Sequence, residues 1–232
     1  MRIRRKKWWT VAAAVVGAAV WLNPNLVPDI APFPPSSARP VAVDVTGDVG
    51  ALLQQVSVVD RIADVEGYDR GCRRGEGCVF GPAWNDPLDK TGCDTRNRQM
   101  AAQLRDVRFK PNTHNCKVID GFLDPDPYTG QRVALEDVEL DHVYALSAAW
   151  DAGAWQWDSQ KRQIFANDAA ELLAVSGPAN RQKSDKRLDE WLPAFQPCAY
   201  VQRYLTVAVK YQLPITVAEH NTAAATCPAP AA

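Results

Sequence analysis

Six cysteines constrain the fold of this 232-residue chain more than any other feature of its sequence. They are Cys72, Cys78, Cys93, Cys116, Cys198 and Cys227. An even cysteine count without paired CxxC motifs indicates disulfides rather than a structural zinc site. The short loop CRRGEGC favours a local Cys72–Cys78 bridge, and Cys93–Cys116 and Cys198–Cys227 would then be the other two. We therefore expect loops that are held in place by covalent bridges.

The N-terminal segment predicts export. Five basic side chains lie within residues 2–7, and an apolar run follows from Trp8 to Leu22. This run has the length of a signal-peptide core and is short for a membrane span of about 20 residues. No small-residue cleavage site lies close to it. Residues 1–22 are therefore predicted to be a signal peptide, or an uncleaved anchor that tethers the chain to the membrane through residues 8–22. Either alternative places the rest of the chain in the secreted fraction or on the extracellular face of the membrane, where disulfides persist.

Composition divides the remaining chain into two parts. Residues 23–44 are rich in proline and predict an extended linker. Residues 45–232 are enough for one domain with its own core. The first 39 residues hold six basic side chains and one acidic one, out of totals of 26 and 27, so the remainder carries a net charge of about −6. This charge disfavours tight, non-specific binding of nucleic acid through charge alone.

Short helical and extended patterns alternate along the domain and predict an α+β fold. The expected helices cover residues 48–65, 95–107 with Thr95 as N-cap, 147–157, 159–176 and 193–213. A hairpin is expected over residues 116–133 with its bend near Thr129 and Gly130, and an extended stretch over residues 134–146. The last of these helices is amphipathic and is expected to lie behind the functional site.

The segment VELDHVYALS places Asp141 and His142 side by side at the end of an extended run, and Asn180 follows in NRQKSD. Carboxylate and amide oxygens are ligands for a hard divalent cation. An imidazole with an ordinary pKa of about 6.5 can take a proton from water near neutral pH. These three residue types are those needed for hydrolysis of a phosphodiester with one metal ion. Alternate side chains of a strand point to opposite faces, so one site for Asp141 and His142 requires the strand to end or bend there.

The chain resembles the HNH (ββα-metal) endonucleases between about Tyr68 and Glu219. It is most similar to secreted bacterial members related to the C-terminal nuclease domain of modification-dependent restriction enzymes. The resemblance lies in YDR, GCDTRN, DPYTG, the DHV segment, FAND, LLAV, the N..KSD segment and WLP. It implies a ββα-metal (HNH, or His-Me finger) core with flanking helices and disulfide-stapled loops. It also implies DNA as substrate and a divalent cation, Mg²⁺ or another such as Mn²⁺. By the same resemblance, His142 is the general base, and Asp141 and Asn180 are the metal ligands.

One position departs from the family pattern. The asparagine that orients the catalytic imidazole in such folds commonly stands just before LLAV, where this chain has Glu171. Asn167, in FAND, is a second candidate for the orienting role. Glu171 would either accept a hydrogen bond from the imidazole and raise its basicity, become a metal ligand, or mark reduced activity.

Basic side chains around the motif are candidates for contact with the DNA backbone. They are Arg70, Arg96, Arg181 and Lys183. For Arg70 the alternative is a buried ion pair with Asp69 that orders the cysteine-rich loop. The sequence thus predicts an extracellular, metal-dependent DNA endonuclease without an obligate protein partner. The alternative is a catalytically silent, disulfide-stapled extracellular binding domain on the same scaffold.

Overall fold

The computed structural model describes residues 49–228. Its helices are α1 (Val49–Gln55), α2 (Thr95–Gln103), α3 (Leu146–Asp151), α4 (Ser159–Asn167), α5 (Gly177–Lys183), α6 (Pro197–Tyr211) and α7 (Val217–Thr226). Its strands are β1 (Val58–Val59), β2 (Arg105–Phe109), β3 (Val118–Leu123), β4 (Val133–Ala134), β5 (Val138–His142), β6 (Leu172–Ser176) and β7 (Ile215–Thr216). Single 3-10 turns occupy Leu135–Asp137 and Ala154–Gln156. The α+β class predicted from the sequence is confirmed.

Strands β5 and β6 form an antiparallel pair, and α5 begins directly where β6 ends. Val138 pairs with Ser176 at one end of the ladder, and His142 pairs with Leu172 at the other. Helices α3 and α4 lie between the two strands in sequence. Helix α5 packs against both strands. This unit of two strands and one helix carries the motif residues Asp141, His142 and Asn180.

The two faces of β5 pack against different neighbours. Val138 and Leu140 are buried in an apolar cluster with Met100 of α2 and Leu123 of β3. The intervening residues Glu139 and Asp141 face α5 instead, because both of them contact its side chains. The strand is therefore covered on both faces, by the apolar cluster on one and by α5 on the other, and Glu139 is only partly buried.

A three-stranded antiparallel sheet in the order β2-β3-β4 lies against α2. Asp94 directly precedes α2, and its side chain accepts a hydrogen bond from the Asn97 amide. Asp94, rather than the expected Thr95, is therefore the N-cap, and Thr95 lies buried in the first turn. The predicted hairpin is present as β3 and β4, with Thr129 and Gly130 in its connection.

The main core surrounds α3 and α6. Helix α6 buries Val201, Leu205 and Ala208 completely, and Trp150 and Phe165 pack into the same cluster. Helix α7 begins with a capping box in which Thr216 and Glu219 satisfy each other's backbone amides. The amphipathic helix predicted behind the site is thus present as α6 and ends at Tyr211.

Three disulfides form in the predicted pairing, and no cysteine among the described residues is free. The Cys72–Cys78 bridge closes a short loop, Cys93–Cys116 joins the start of α2 to the segment before β3, and Cys198–Cys227 joins α6 to the end of α7. The C-terminal helix is therefore held to the core covalently as well as by packing.

Three helical predictions are wrong in extent. The helix expected over residues 95–107 ends at Gln103, and Arg105–Phe109 forms β2. The helix expected over residues 48–65 ends at Gln55, and the chain then forms β1. The helix expected over residues 159–176 ends at Asn167, and Leu172–Ser176 becomes β6, because these residues complete the ladder of β5. The predicted signal peptide or anchor and the predicted linker lie outside the described residues. Between residues 49 and 228, no helix is long and apolar enough to cross a membrane.

Candidate active site

The three motif residues line one cavity of about 440 Å³ at the end of β5. Asp141 and His142 contribute from the strand, and Asn180 contributes from α5. The strand ends at His142, so two residues of opposite parity can border the same space. The other lining residues are Tyr68, Arg70, Trp84, Leu140, Ala145, Leu146, Ser147, Arg181, Ser184 and Asp185. The structure thus brings together the carboxylate, imidazole and amide that the sequence singled out.

The orientation of the His142 ring is fixed by a backbone group. Its Nε2 lies 3.0 Å from the carbonyl oxygen of Ala166. A carbonyl oxygen only accepts hydrogen bonds, so Nε2 carries the proton and Nδ1 has the free lone pair. Burial lowers the pKa of His142 to about 4, and the positive charges of Arg70 and Lys183 act in the same direction. Near neutral pH the ring is therefore neutral and able to accept a proton.

Asp141 is held by a buried hydrogen-bond network. Its Oδ1 accepts from Lys183 Nζ at 2.9 Å, and its Oδ2 accepts from the Tyr128 hydroxyl at 2.5 Å. Lys183 is fully buried and also donates to the His142 carbonyl oxygen at 2.9 Å. Burial raises the pKa of Asp141, and the charge of Lys183 and the hydroxyl of Tyr128 oppose that rise. One lysine thus fixes both members of the Asp141–His142 pair.

This position of Lys183 corrects one prediction. A side chain that is fully buried in an ion pair cannot contact a DNA phosphate. The sequence places Lys183 three residues after Asn180, and residues at this spacing share one face of a helix. That face packs against β5, whereas the neighbouring Arg181 is exposed.

Asn180 is oriented by Glu139. Its Nδ2 donates to Glu139 Oε2 at 2.9 Å, and Arg181 forms an ion pair with the other oxygen of the same carboxylate. The amide nitrogen of Asn180 is therefore engaged, and its oxygen is the atom available for other contacts. Glu139 was not identified as a site residue from the sequence. The signal that could have identified it is its position two residues before Asp141 on a strand, which places both side chains on one face.

Neither proposed orienting side chain forms a hydrogen bond with the His142 ring. Glu171 is fully buried, and its Oε2 accepts from the Tyr144 amide at 3.2 Å. Burial raises the pKa of Glu171 well above its ordinary value, which favours the neutral acid. Asn167 donates through Nδ2 to the carbonyl oxygens of Gln163 and Asn85. The contact that orients the ring comes instead from the carbonyl oxygen of Ala166, which lies in the FAND segment next to Asn167.

The remaining predicted side chains separate into two groups. Arg70 and Arg181 line the cavity and are exposed. Arg96 lies on α2 and lines neither this cavity nor a second cavity, of about 120 Å³, that also borders His142. Asp69 accepts hydrogen bonds from the amides of Gly71 and Gly77, so it orders the cysteine-rich loop through the backbone rather than through a buried pair with Arg70.

The fit of the cavity to a divalent cation rests on oxygen donors. Within residues 49–228, no group of three or more His, Cys, Asp and Glu side chains is arranged to hold a metal ion. The cavity nevertheless offers a carboxylate from Asp141 and an amide oxygen from Asn180, and the exposed carboxylate of Asp185 lies at its wall. Mg²⁺ keeps several waters and takes only one or two protein carboxylates together with phosphate oxygens. A sparse set of oxygen donors fits Mg²⁺ better than it fits zinc or calcium.

Comparison with known proteins adds two findings. The family model described as "GmrSD restriction endonucleases, C-terminal domain" matches residues 94–225. An uncharacterized secreted protein of Arthroderma benhamiae is 40% identical over 134 residues. That match covers 56% of this chain and 64% of the relative. No solved structure gives a significant match. The relative comes from a fungus, so the bacterial origin implied by the sequence resemblance is unsupported.

The extracellular location predicted from the sequence is confirmed. The relative is a secreted protein, and the three disulfides of this chain are typical of oxidising compartments.

Proposed function

Because the chain belongs to the family of GmrSD restriction endonuclease C-terminal domains, we propose that it is an extracellular, metal-dependent DNA endonuclease. The observation that carries this proposal is the convergence of Asp141, His142 and Asn180 on one cavity. Asn180 follows the Asp141–His142 pair by about forty residues, so a shared site explains their proximity better than chance does.

The unit of β5, β6 and α5 is proposed to be the ββα-metal core. Two antiparallel strands are followed directly by a helix that packs on both of them. The general base stands on the first strand and the amide ligand on the helix, so the cation would lie between strand and helix. The insertion of α3 and α4 between the strands supplies Ala166, whose carbonyl oxygen holds the base.

His142 is proposed to act as the general base through Nδ1. Its Nε2–H is held by Ala166, which leaves Nδ1 to accept a proton from a water molecule in the cavity. The resulting hydroxide attacks phosphorus, the bond to the leaving oxygen of the phosphodiester breaks as the new bond forms, and the leaving alkoxide takes a proton from solvent water. Low basicity of a buried imidazole limits the rate, so alignment by Ala166 and Lys183 has to supply part of the catalysis.

Asp141 and Asn180 are proposed to hold the divalent cation, Mg²⁺ or Mn²⁺. When bound, such a cation offsets the negative charge that builds on the phosphate oxygens. Asp141 would bind through lone pairs not used by Tyr128 and Lys183, since a carboxylate has about four acceptor sites. The Lys183 charge weakens the attraction of the site for a cation, which favours a site completed by substrate phosphate.

Arg70 and Arg181 are proposed to contact the DNA backbone. Both are exposed and border the cavity, on the cysteine-rich loop and on α5. They provide positive charge where the domain as a whole is negative. Residues 1–22 are proposed to direct export or anchor the chain, residues 23–44 to form a linker, and residues 45–232 to form the nuclease domain.

A plasmid-nicking assay with the exported protein tests the proposal. Nicking is expected with Mg²⁺ or Mn²⁺ and is expected to stop in EDTA. His142→Ala should lower the rate by about 10²–10⁴ while leaving the fold intact. His220→Ala is the matched control, because His220 lies on α7 and lines neither cavity. Nicking by the pure protein that survives His142→Ala would refute the proposed role of His142, and absence of nicking with either cation would favour the silent binding domain.

A further inference from the structure

A second cavity of about 120 Å³ adjoins the candidate active site. The two cavities share four wall residues, namely Arg70, Trp84, His142 and Leu146. The remaining wall of the smaller cavity is largely apolar and consists of Cys72, Phe80, Gly81, Pro82, Ala83, Ala166 and Asn167. A ligand with a charged group at His142 would therefore have an apolar space directly beside it.

Trp84 is the residue that the two cavities and the imidazole have in common. Its ring lies parallel to that of His142, with 6.1 Å between the ring centroids and 9° between the planes. The backbone of Trp84 has a φ of 61°, which is rare for a bulky residue. Its carbonyl oxygen accepts from the Thr95 amide at 2.9 Å, so the start of α2 holds this conformation. Strained residues of this kind concentrate at ligand sites.

Asn167 provides a polar group in the wall of the smaller cavity. It is 4% exposed, and both hydrogens of its Nδ2 are directed at carbonyl oxygens, which fixes the amide orientation. Its Oδ1 is buried and has no hydrogen-bond partner among the described residues. A buried acceptor without a partner is costly. This oxygen has almost no accessible surface, so a ligand N–H can reach it only after neighbouring side chains move.

We propose that the smaller cavity binds the base of the nucleotide next to the scissile phosphate, with Trp84 as its stacking platform and Asn167 as a hydrogen-bond acceptor. The inference rests on the proposed nuclease function and adds a substrate subsite to it. A planar base has an apolar face for Trp84 and Phe80, and its N–H edge would meet the Asn167 oxygen once the side chains that cover this oxygen move aside. Arg70 borders both cavities and can contact the phosphate that joins them.

A base in this position cannot remain stacked in a duplex. The smaller cavity lies beside His142 and is walled by side chains of the cysteine-rich loop, so the base has to leave its neighbours to enter. Unstacking costs least for single-stranded DNA. The substrate subsite therefore predicts preference for single strands or for unpaired positions, as in other sites built on aromatic stacking.

Binding measured without metal tests the subsite separately from cleavage. The full-length exported protein is titrated, in EDTA, with a short fluorescent single-stranded oligodeoxynucleotide, with its duplex, and with copies that carry one abasic position. The single strand is expected to bind more tightly than the duplex. The copy whose abasic position falls at the smaller cavity should bind roughly 5- to 150-fold more weakly than the intact strand. This loss is typical for one stacked base.

Variants assign this difference to the cavity. Trp84→Ala should remove the discrimination between intact and abasic strands, and Trp84→Phe should keep part of it. Ala83→Leu should reduce the discrimination by filling the cavity while Trp84 stays in place. Trp155→Ala is the matched control, because Trp155 is 46% exposed and lines neither cavity.

Three outcomes test this inference separately from the nuclease proposal. Equal binding of intact and abasic strands by the unmodified protein would overturn the inference, even if plasmid nicking is normal. Full discrimination retained in both Trp84→Ala and Ala83→Leu would also overturn it. Base discrimination that depends on Trp84 would support the subsite, even in a protein that nicks no plasmid, in which case only the nuclease proposal fails.

Discussion

The Lys183–Asp141 pair gives the strongest energetic prediction. Both side chains are buried, at 0% and 5% exposure, and Nζ lies 2.9 Å from Oδ1. Lys183→Met keeps much of the side-chain volume but leaves a buried carboxylate without its counter-charge. Breaking such a pair from one side costs about 3–5 kcal/mol. Against a typical domain stability of about 5–15 kcal/mol, this loss is large but measurable.

A double-mutant cycle isolates the pair from the rest of the network. Asp141→Asn removes the negative charge and retains an oxygen that can accept from Tyr128. Each single variant leaves one unpaired buried charge, whereas Lys183→Met with Asp141→Asn leaves none. The loss in free energy of unfolding of the double variant is therefore expected to be smaller than the sum of the two single losses, by roughly 2–4 kcal/mol.

Urea unfolding with intact disulfides, followed by tryptophan fluorescence and far-UV circular dichroism, measures these free energies. Lys186→Met is the matched control, because Lys186 is exposed on the segment after α5, and its loss should change stability by less than about 0.5 kcal/mol. The role assigned to the pair would be refuted if the two single losses in free energy of unfolding add up to the loss in the double variant. A cost below about 1 kcal/mol for Lys183→Met would also refute it.

Four further predictions concern the site and the scaffold. Asn180→Ala should raise the Mg²⁺ concentration needed for half-maximal nicking, because it removes an oxygen ligand; an unchanged requirement would exclude Asn180 as a ligand. Glu171→Gln should leave nicking and stability nearly unchanged, since the neutral acid is replaced by a neutral amide of similar shape; loss of metal binding in a calorimetric titration would show that Glu171 is a ligand. Burial opposes ionisation of Asp168, but hydrogen bonds from its neighbours prevail and lower its pKa, so it stabilises the fold above its unfolded pKa of about 3.9 and less as pH falls through the folded value. Asp168→Asn should accordingly cost about 1–3 kcal/mol at pH 7 and progressively less in acid, as measured by urea unfolding at several pH values. Replacing Cys198 and Cys227 by serine should cost about 3–4 kcal/mol by loop-closure entropy, and an equally stable variant in thermal unfolding would contradict this.

Much of the scaffold follows from the sequence because its signals are local. Cysteine spacing predicted all three bridges, and all three form. The amphipathic period of α6 and the extended run of β5 also follow from local patterns. The strand β6 does not, because Leu172–Ser176 is a short apolar run that fits a buried helix or a buried strand equally well. Pairing with β5 decides in favour of the strand.

The sequence by itself determined which chemical groups are available: one Asp–His pair, Asn180 downstream of it and six cysteines in an exported chain. Only the tertiary structure decided what each group contacts. The face of α5 that packs on β5 buries Lys183 against Asp141 and leaves Arg181 outside. The ring of His142 is held by a main-chain carbonyl, which every residue possesses and no sequence pattern marks. Contacts of this kind depend on how elements far apart in the chain are placed, because burial and hydrogen bonding are set by neighbours in space rather than in sequence.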